Sequence, residues 1–256
     1  SYAIQAALKA ILDPEDYKCE DKGELGSYID GLLEGGSIYT YQRLVNYYSV
    51  NTLLFYATLW YNDGIDNVFG SQQQTEEFRD HFLNMKSWEP DLNGAILKNF
   101  NGELLQNTAR IFWTIYYLFY PTYERTAGLN NYIMGWVTEI QDLVEGDGGF
   151  GYDSPLWSVN AYAISSVPAQ IHFGDGVLDF FKASHIGDGG PDYVLAHEFA
   201  HLILAHEFAH LIQYNLNVIF ENTPESTRKT ELMADAIYEY YLTHEDGAAF
   251  HNNDLI

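Results

Sequence analysis

A chain of 256 residues, 47% hydrophobic and 16% aromatic, holds ample material for a packed core, which excludes global disorder. Its 36 acidic residues against 12 basic ones leave a net charge of −24, which argues against nucleic acid and anionic membranes as partners, since a basic patch supplies affinity there. The lone Cys19 excludes a disulfide within the chain, and no apolar run reaches the roughly eighteen residues of a membrane span.

From the N-terminus, helical periodicity predicts helices near Tyr2–Leu12, Ile38–Asn62, Gln72–Lys86, Glu103–Tyr120 and Asn130–Glu145. Leu44, Tyr47 and Tyr48, then Leu53, Leu54 and Ala57, recur at helical spacing, and Pro14, Gly35-Gly36, Pro90 and Pro121 punctuate between the segments. The stretch Ile111–Tyr120 reads IFWTIYYLFY, a buried amphipathic helix too short to cross a bilayer. The 21 tyrosines bring rings that pack and hydroxyls that bond. Residues 1–145 thus form a helical, Tyr-rich region that builds a cleft wall, recognises substrate or binds a partner. Between Val144 and Pro155 the string EGDGGFGYDS marks a boundary, and residues 146–256 form a second region. Asp147, Asp153 and the later Asp188 fit turns better than a calcium loop.

The most informative stretch comes next. Residues 195–203 and 204–212 are identical copies of LAHEFAHLI, each containing His-Glu-x-x-His. Residues four apart share a helix face, so two imidazoles at that spacing can grip one metal ion, and the intervening Glu can act as general base. Burying such groups among apolar flanks is costly without a partner, which a metal supplies. Nine residues rotate a helix by about 900° and advance it about 13.5 Å, so the copies face opposite sides of one helix and cannot share a further ligand. That ligand is offered by Glu231-Leu232-Met233-Ala234-Asp235, on a helix that Thr223 can cap, with Pro224 at its first position and Glu225 in its first turn, running to about His244. Glu231 can complete a His2Glu zinc site with a fourth position left for water, and Asp235, four residues on, can accept the free N–H of a ligating histidine. From His210 to Glu231 is 21 positions and from His201 it is 30, so the spacing favours His206, Glu207 and His210, with His197, Glu198 and His201 as the alternative set. Zinc would lower the pKa of its water and Glu207, or Glu198, would take the proton. Tyr238 and His244 are the candidate oxyanion donors. Isolated His172, His81, His185 and His251 read as structural.

HEFAH followed by ELMAD resembles the gluzincin metallopeptidases. Upstream, Val159-Asn160-Ala161-Tyr162-Ala163, Gln170-Ile171-His172-Phe173 and Gly176-Val177-Leu178-Asp179 are similar to the HtpX-like and CAAX-prenyl-protease-like branch, over about residues 157–245. The chain departs from that branch in its doubled motif and at Ile164-Ser165-Ser166-Val167-Pro168, where the branch is glycine-rich. The resemblance implies a mostly helical α+β fold with a zincin-like region: a small sheet, a zinc helix and a ligand-bearing helix. It also implies an edge strand at Asn160, Ala161, Tyr162 and Ala163 along which an extended substrate pairs. The expected function is a zinc-dependent endopeptidase acting on a peptide or protein. The alternative is an inactive zincin-like module that binds a protein or peptide partner, its site disrupted by the duplication. In the resembled families the oxyanion donor often lies further along, so an end at Ile256 reads as a truncation. The start at Ser1 reads as a processed piece, so a missing leader is uninformative. The acidic balance suits a highly soluble or exported protein or one from a salty habitat without choosing among them, and a secreted or periplasmic location is slightly favoured over a cytoplasmic one.

Overall fold

The computed structural model describes residues 24–46, 50, 53–55, 57, 72–122, 124–185, 191–218, 221 and 223–247. Side chains are described for these except at 24, 72–77, 115, 118–119, 181–182, 184–185 and 191–201. The architecture is mostly helical with a small three-stranded sheet. Helices α1 (Glu24–Leu33), α2 (Ile38–Asn46) and α3 (Gln72–Trp88) come first, followed by strand β1 (Ile96–Phe100). Helices α4 (Thr108–Phe119) and α5 (Ala127–Glu145) lead to strands β2 (Ala161–Ile164) and β3 (Gln170–Gly174). Helices α6 (Asp175–His185), α7 (Pro191–Asn215) and α8 (Pro224–Thr243) complete the described order. None of these helices is long and apolar enough to cross a membrane.

Helix α5 begins earlier than its periodicity predicts, because the Thr126 hydroxyl accepts from the Leu129 N–H and caps the first turn. The segment predicted helical over Glu103–Tyr120 opens instead as a 3-10 turn, Gly102–Asn107. Asn101 Oδ1 accepts from the Glu103 N–H at 3.0 Å, and the tighter winding sends both Leu104 and Leu105 into the core. Of the predicted Ile38–Asn62 helix, residues 38–46, 50, 53–55 and 57 are helical, and the other residues lie outside the described set, as does Tyr2–Leu12. Around residues 146–151 the glycines do make turns, with Gly148 and Gly151 at φ of 76° and 74°, and the Asp147 and Asp153 positions fall in them. Asp188 and His251 lie outside the described residues.

Strand β1 corrects the purely helical reading of residues 1–145. It lies parallel to β3, with Ile96 opposite Gln170 and Phe100 opposite Gly174, while β2 runs antiparallel on the other side of β3. Polar Lys98 and Asn99 break any alternation in β1, so its strand character comes from its partner. The central β3 is buried along its whole length, as a strand covered on both faces must be. His172 within it is fully buried, bonded through Nε2 to Gln170 Oε1 at 2.9 Å, and burial, then Lys98, pushes its pKa down to about 3. It is structural, as is His81, buried against the Tyr241 ring.

One apolar cluster joins the two halves of the chain: Phe78, Phe82 and Met85 of α3 meet Ile171 and Phe173 of β3, Phe208 and Leu211 of α7, and Leu242 of α8. Phe78 packs edge-on to Phe173 and Phe82 edge-on to Phe208. A second cluster gathers Leu44, Leu105, Ile111, Ile140, Val144 and Trp157 beneath α2, α4 and α5.

The end of β3 is tied to the approach to β2, where the Gly174 N–H donates to the Asn160 carbonyl at 2.9 Å. A Cβ at Gly174 would sit 1.9 Å from the Ser158 carbonyl oxygen and 2.8 Å from that of Asn160. Gly174→Ala should therefore destabilise the protein by about 1–3 kcal/mol, read as a lowered denaturation midpoint. A midpoint equal to wild type would show that this approach is looser than its geometry implies.

Candidate metal centre

Helix α7 passes over β2 and β3 and packs against α3, α6 and α8. From Leu204 to Gln213 every residue is buried except His206, whose side chain is 22% exposed. Apolar side chains therefore project all round this stretch, as they do on a helix enclosed on every side. Its polar members, His206, Glu207, His210 and Gln213, must find partners within the protein.

Helix α8 supplies them. Its start obeys the predicted signals: the Thr223 hydroxyl accepts from the Ser226 N–H at 3.1 Å, Pro224 occupies the first turn and Glu225 lies beside it. Glu231 and Asp235, one turn apart, both reach α7. Asp235 Oδ1 lies 3.0 Å from His206 Nδ1 and Glu231 Oε2 lies 3.1 Å from His206 Nε2. The same Glu231 oxygen is 3.4 Å from His210 Nε2, and the two imidazole Nε2 atoms are 3.1 Å apart. Three ligand-type atoms, two nitrogens and a carboxylate oxygen, thus converge on one point. His206, His210 and Glu231 could hold a metal ion, and this is the only such group found among the described residues. Asp235 takes the outward N–H of His206, which leaves Nε2 free to coordinate.

The convergence sits in a cleft of about 580 Å³ lined by Ala161, Tyr162, Ala163, His206, Glu207, His210, Tyr214, Thr230 and Glu231. Glu207 is 8% exposed. Burial pushes its carboxyl up to about 7, opposed by His210, reinforced by Glu231 and opposed again by a hydrogen bond from the Ala163 backbone. Tyr214, half-buried in the same cleft, has its phenol pushed up by burial and by the charges of Glu207 and Glu231.

Strand β2 is an edge of the described sheet. Its main chain alternates in direction: Asn160 spends its carbonyl on Gly174, while Ala163 points its N–H outward to Glu207. Ala161, two residues before Ala163, faces its main-chain groups the same way. Of the four edge-strand positions, Ala161 and Ala163 therefore turn their backbones to the cleft, and Asn160 and Tyr162 turn theirs to β3. Tyr162 is among the residues that line the cleft, and its ring packs on His172 and Phe100.

The two candidate donors lie elsewhere. The Tyr238 ring stands 6.0 Å from the His206 ring and is not among the cleft-lining residues, and its phenol is pushed up by burial, Asp235 and Glu239. His244 lies just past the last turn of α8, stacked near Tyr240, and its Nδ1 accepts from the Asp246 N–H at 3.1 Å. It does not line the cleft. The backbone of α7 runs unbroken through both copies of LAHEFAHLI, but the side chains of His197, Glu198 and His201 lie outside the described residues. Sequence reasoning missed Tyr214, Thr230 and Gln213. Tyr214 had a local signal, since it lies one turn after His210 and two turns after Glu207.

A carboxyl held at about 7 when folded, against about 4.5 when exposed, keeps its proton between those values only in the folded state. Raising pH through that window favours unfolding. In metal-free protein Glu207→Gln should therefore stabilise the fold by about 1–3 kcal/mol at about pH 8 and by much less at about pH 5, measured by urea denaturation of both proteins. A difference that does not vary with pH would contradict the burial argument. No family model, curated protein or solved structure matches this chain.

Proposed function

We propose that the protein is a zinc-dependent endopeptidase of the gluzincin type, with His206, His210 and Glu231 as zinc ligands and Glu207 as general base. One observation carries the reading. Ligand atoms about 2.1 Å from a tetrahedral centre lie about 3.4 Å from one another. The three atoms of this cluster are separated by 3.1, 3.1 and 3.4 Å. A donor set of two imidazoles and one carboxylate, with the cleft open beside it, also matches a catalytic zinc site better than a closed structural one.

When bound, zinc supplies Lewis acidity to the attacking water and to the scissile carbonyl. The residues of the chain do the rest. Glu207 accepts the water proton in a pocket that favours the neutral carboxyl, and returns it to the leaving amine. Asp235 orients His206 through Nδ1. Ala161 offers outward main-chain groups beside Glu207, so an extended peptide can pair along β2. Tyr214 takes the donor role expected of Tyr238 or His244: it lines the cleft, and its raised pKa keeps the phenol proton available to a developing oxyanion.

Protein loaded with one equivalent of zinc should cleave an unstructured protein substrate. Glu207→Gln should retain the zinc and lose about 10²–10⁴ in kcat, whereas Glu198→Gln should keep wild-type turnover. Zinc bound without hydrolysis would instead favour a module that binds its peptide or protein partner uncut. For the donor, Tyr214→Phe should lower kcat about 10²-fold with little change in KM, while Tyr238→Phe and His244→Ala stay near wild type. The opposite ranking would return the role to α8.

A further inference from the structure

The two identical copies of LAHEFAHLI differ in their C-terminal neighbours. Three residues after the second histidine, the first copy has Leu204 and the second has Gln213. We propose that Gln213 is the positioning residue that makes the second copy competent to bind metal, by locking His210 in the tautomer that presents Nε2. The proposal deepens the zinc reading and rests on it.

The Gln213 side chain is wholly buried. Its Nε2 donates to the backbone carbonyl of Thr230 at 2.8 Å, and its Oε1 lies 3.0 Å from His210 Nδ1. A carbonyl only accepts, so the amide must turn its NH₂ group toward Thr230. That leaves Oε1, which also only accepts, facing His210. The hydrogen between them must therefore come from the imidazole, and His210 is protonated at Nδ1. Its Nε2 then carries a lone pair aimed at the point shared with His206 Nε2 and Glu231 Oε2. The Thr230 carbonyl thus fixes the orientation of the amide.

The same side chain bridges the two ligand-bearing helices. Thr230 immediately precedes Glu231, so one amide ties a histidine ligand on α7 to the backbone beside the carboxylate ligand on α8. Leucine, the residue at the equivalent position after the first copy, can neither orient an imidazole nor bond to α8. Leu204 is instead fully buried in the apolar core. The duplication therefore repeats the ligands without repeating the group that sets them.

The test uses the whole chain, zinc alone as probe, and two variants. Gln213→Leu should weaken zinc affinity about 10–100-fold, measured by competition with a chromogenic chelator. Gln213→Glu keeps an acceptor for His210 Nδ1–H but loses the donor to Thr230, and should bind zinc more tightly than Gln213→Leu though more weakly than wild type, a partial rescue that packing alone would not produce. Long-range ¹H–¹⁵N spectra of the metal-free wild type, with His210 assigned through His210→Gln, should show the Nδ1–H tautomer. His210 protonated at Nε2 in wild type would overturn the proposal even if the leucine variant fails to fold. Equal zinc affinity in wild type and Gln213→Leu would also overturn it, leaving the peptidase reading standing. Nδ1–H in a wild type that binds no zinc would support the amide lock and remove the peptidase reading instead.

Discussion

Three atoms that can each present a lone pair lie within hydrogen-bonding distance of one another at low cost only when a cation or a shared proton sits between them. His206 Nε2, His210 Nε2 and Glu231 Oε2 do so at the crossing of α7 and α8, and the surroundings hold them there. Asp235 and Gln213 take the outward N–H of each ring. The stretch Leu204–Gln213 that carries these histidines is buried except at His206, against α3, α8 and the sheet. In so packed an interior, side chains have few alternative rotamers. The convergence is thus preorganised by the fold, which is the condition for tight and selective coordination.

The duplicated string shows how little a motif does without its environment. Both copies lie on one unbroken helix, where nine residues amount to two and a half turns. Among the described residues, the glutamate and aspartate that reach histidines of this helix come from α8, and they reach His206 and His210 of the second copy. The cost of the repetition falls on packing. Over Leu204–Gln213 the helix leaves only His206 partly exposed, and the protein covers the remainder. Phe82 against Phe208 and Leu211 within the same cluster are part of that cover.

The cleft gathers a buried acid, two histidines and a strand edge in one place. Glu207 is buried enough to favour its neutral form, yet lies beside an edge strand that donates to it. Charge also matters here. Glu207, Glu231 and Asp235 crowd two histidines; burial is the main cause of the raised pKa of Glu207 and of Tyr214, and the charge of Glu231 adds to both, while His210 opposes it at Glu207. A divalent cation would relieve this crowding of charge, which couples occupancy of the site to the protonation of the groups that would do the chemistry.

The features legible in the sequence are those that local chemistry governs. The HExxH spacing, the ExxxD spacing and the cap at Thr223 are set within one or two turns of helix, so residue order alone placed His206, His210, Glu231 and Asp235 on the correct faces. Strand β1 was invisible because ILKNF has no alternation and becomes a strand only by lying against β3. The same limit applied to which of Tyr214, Tyr238 and His244 lines the cleft, to which main-chain groups of β2 face it, and to which imidazoles α8 reaches. Each of these depends on which face of one element docks against another, a property of contacts far apart in the chain. Local periodicity by itself determined where ligands could be presented, and long-range packing of α8 and Gln213 against α7 decided which of them meet.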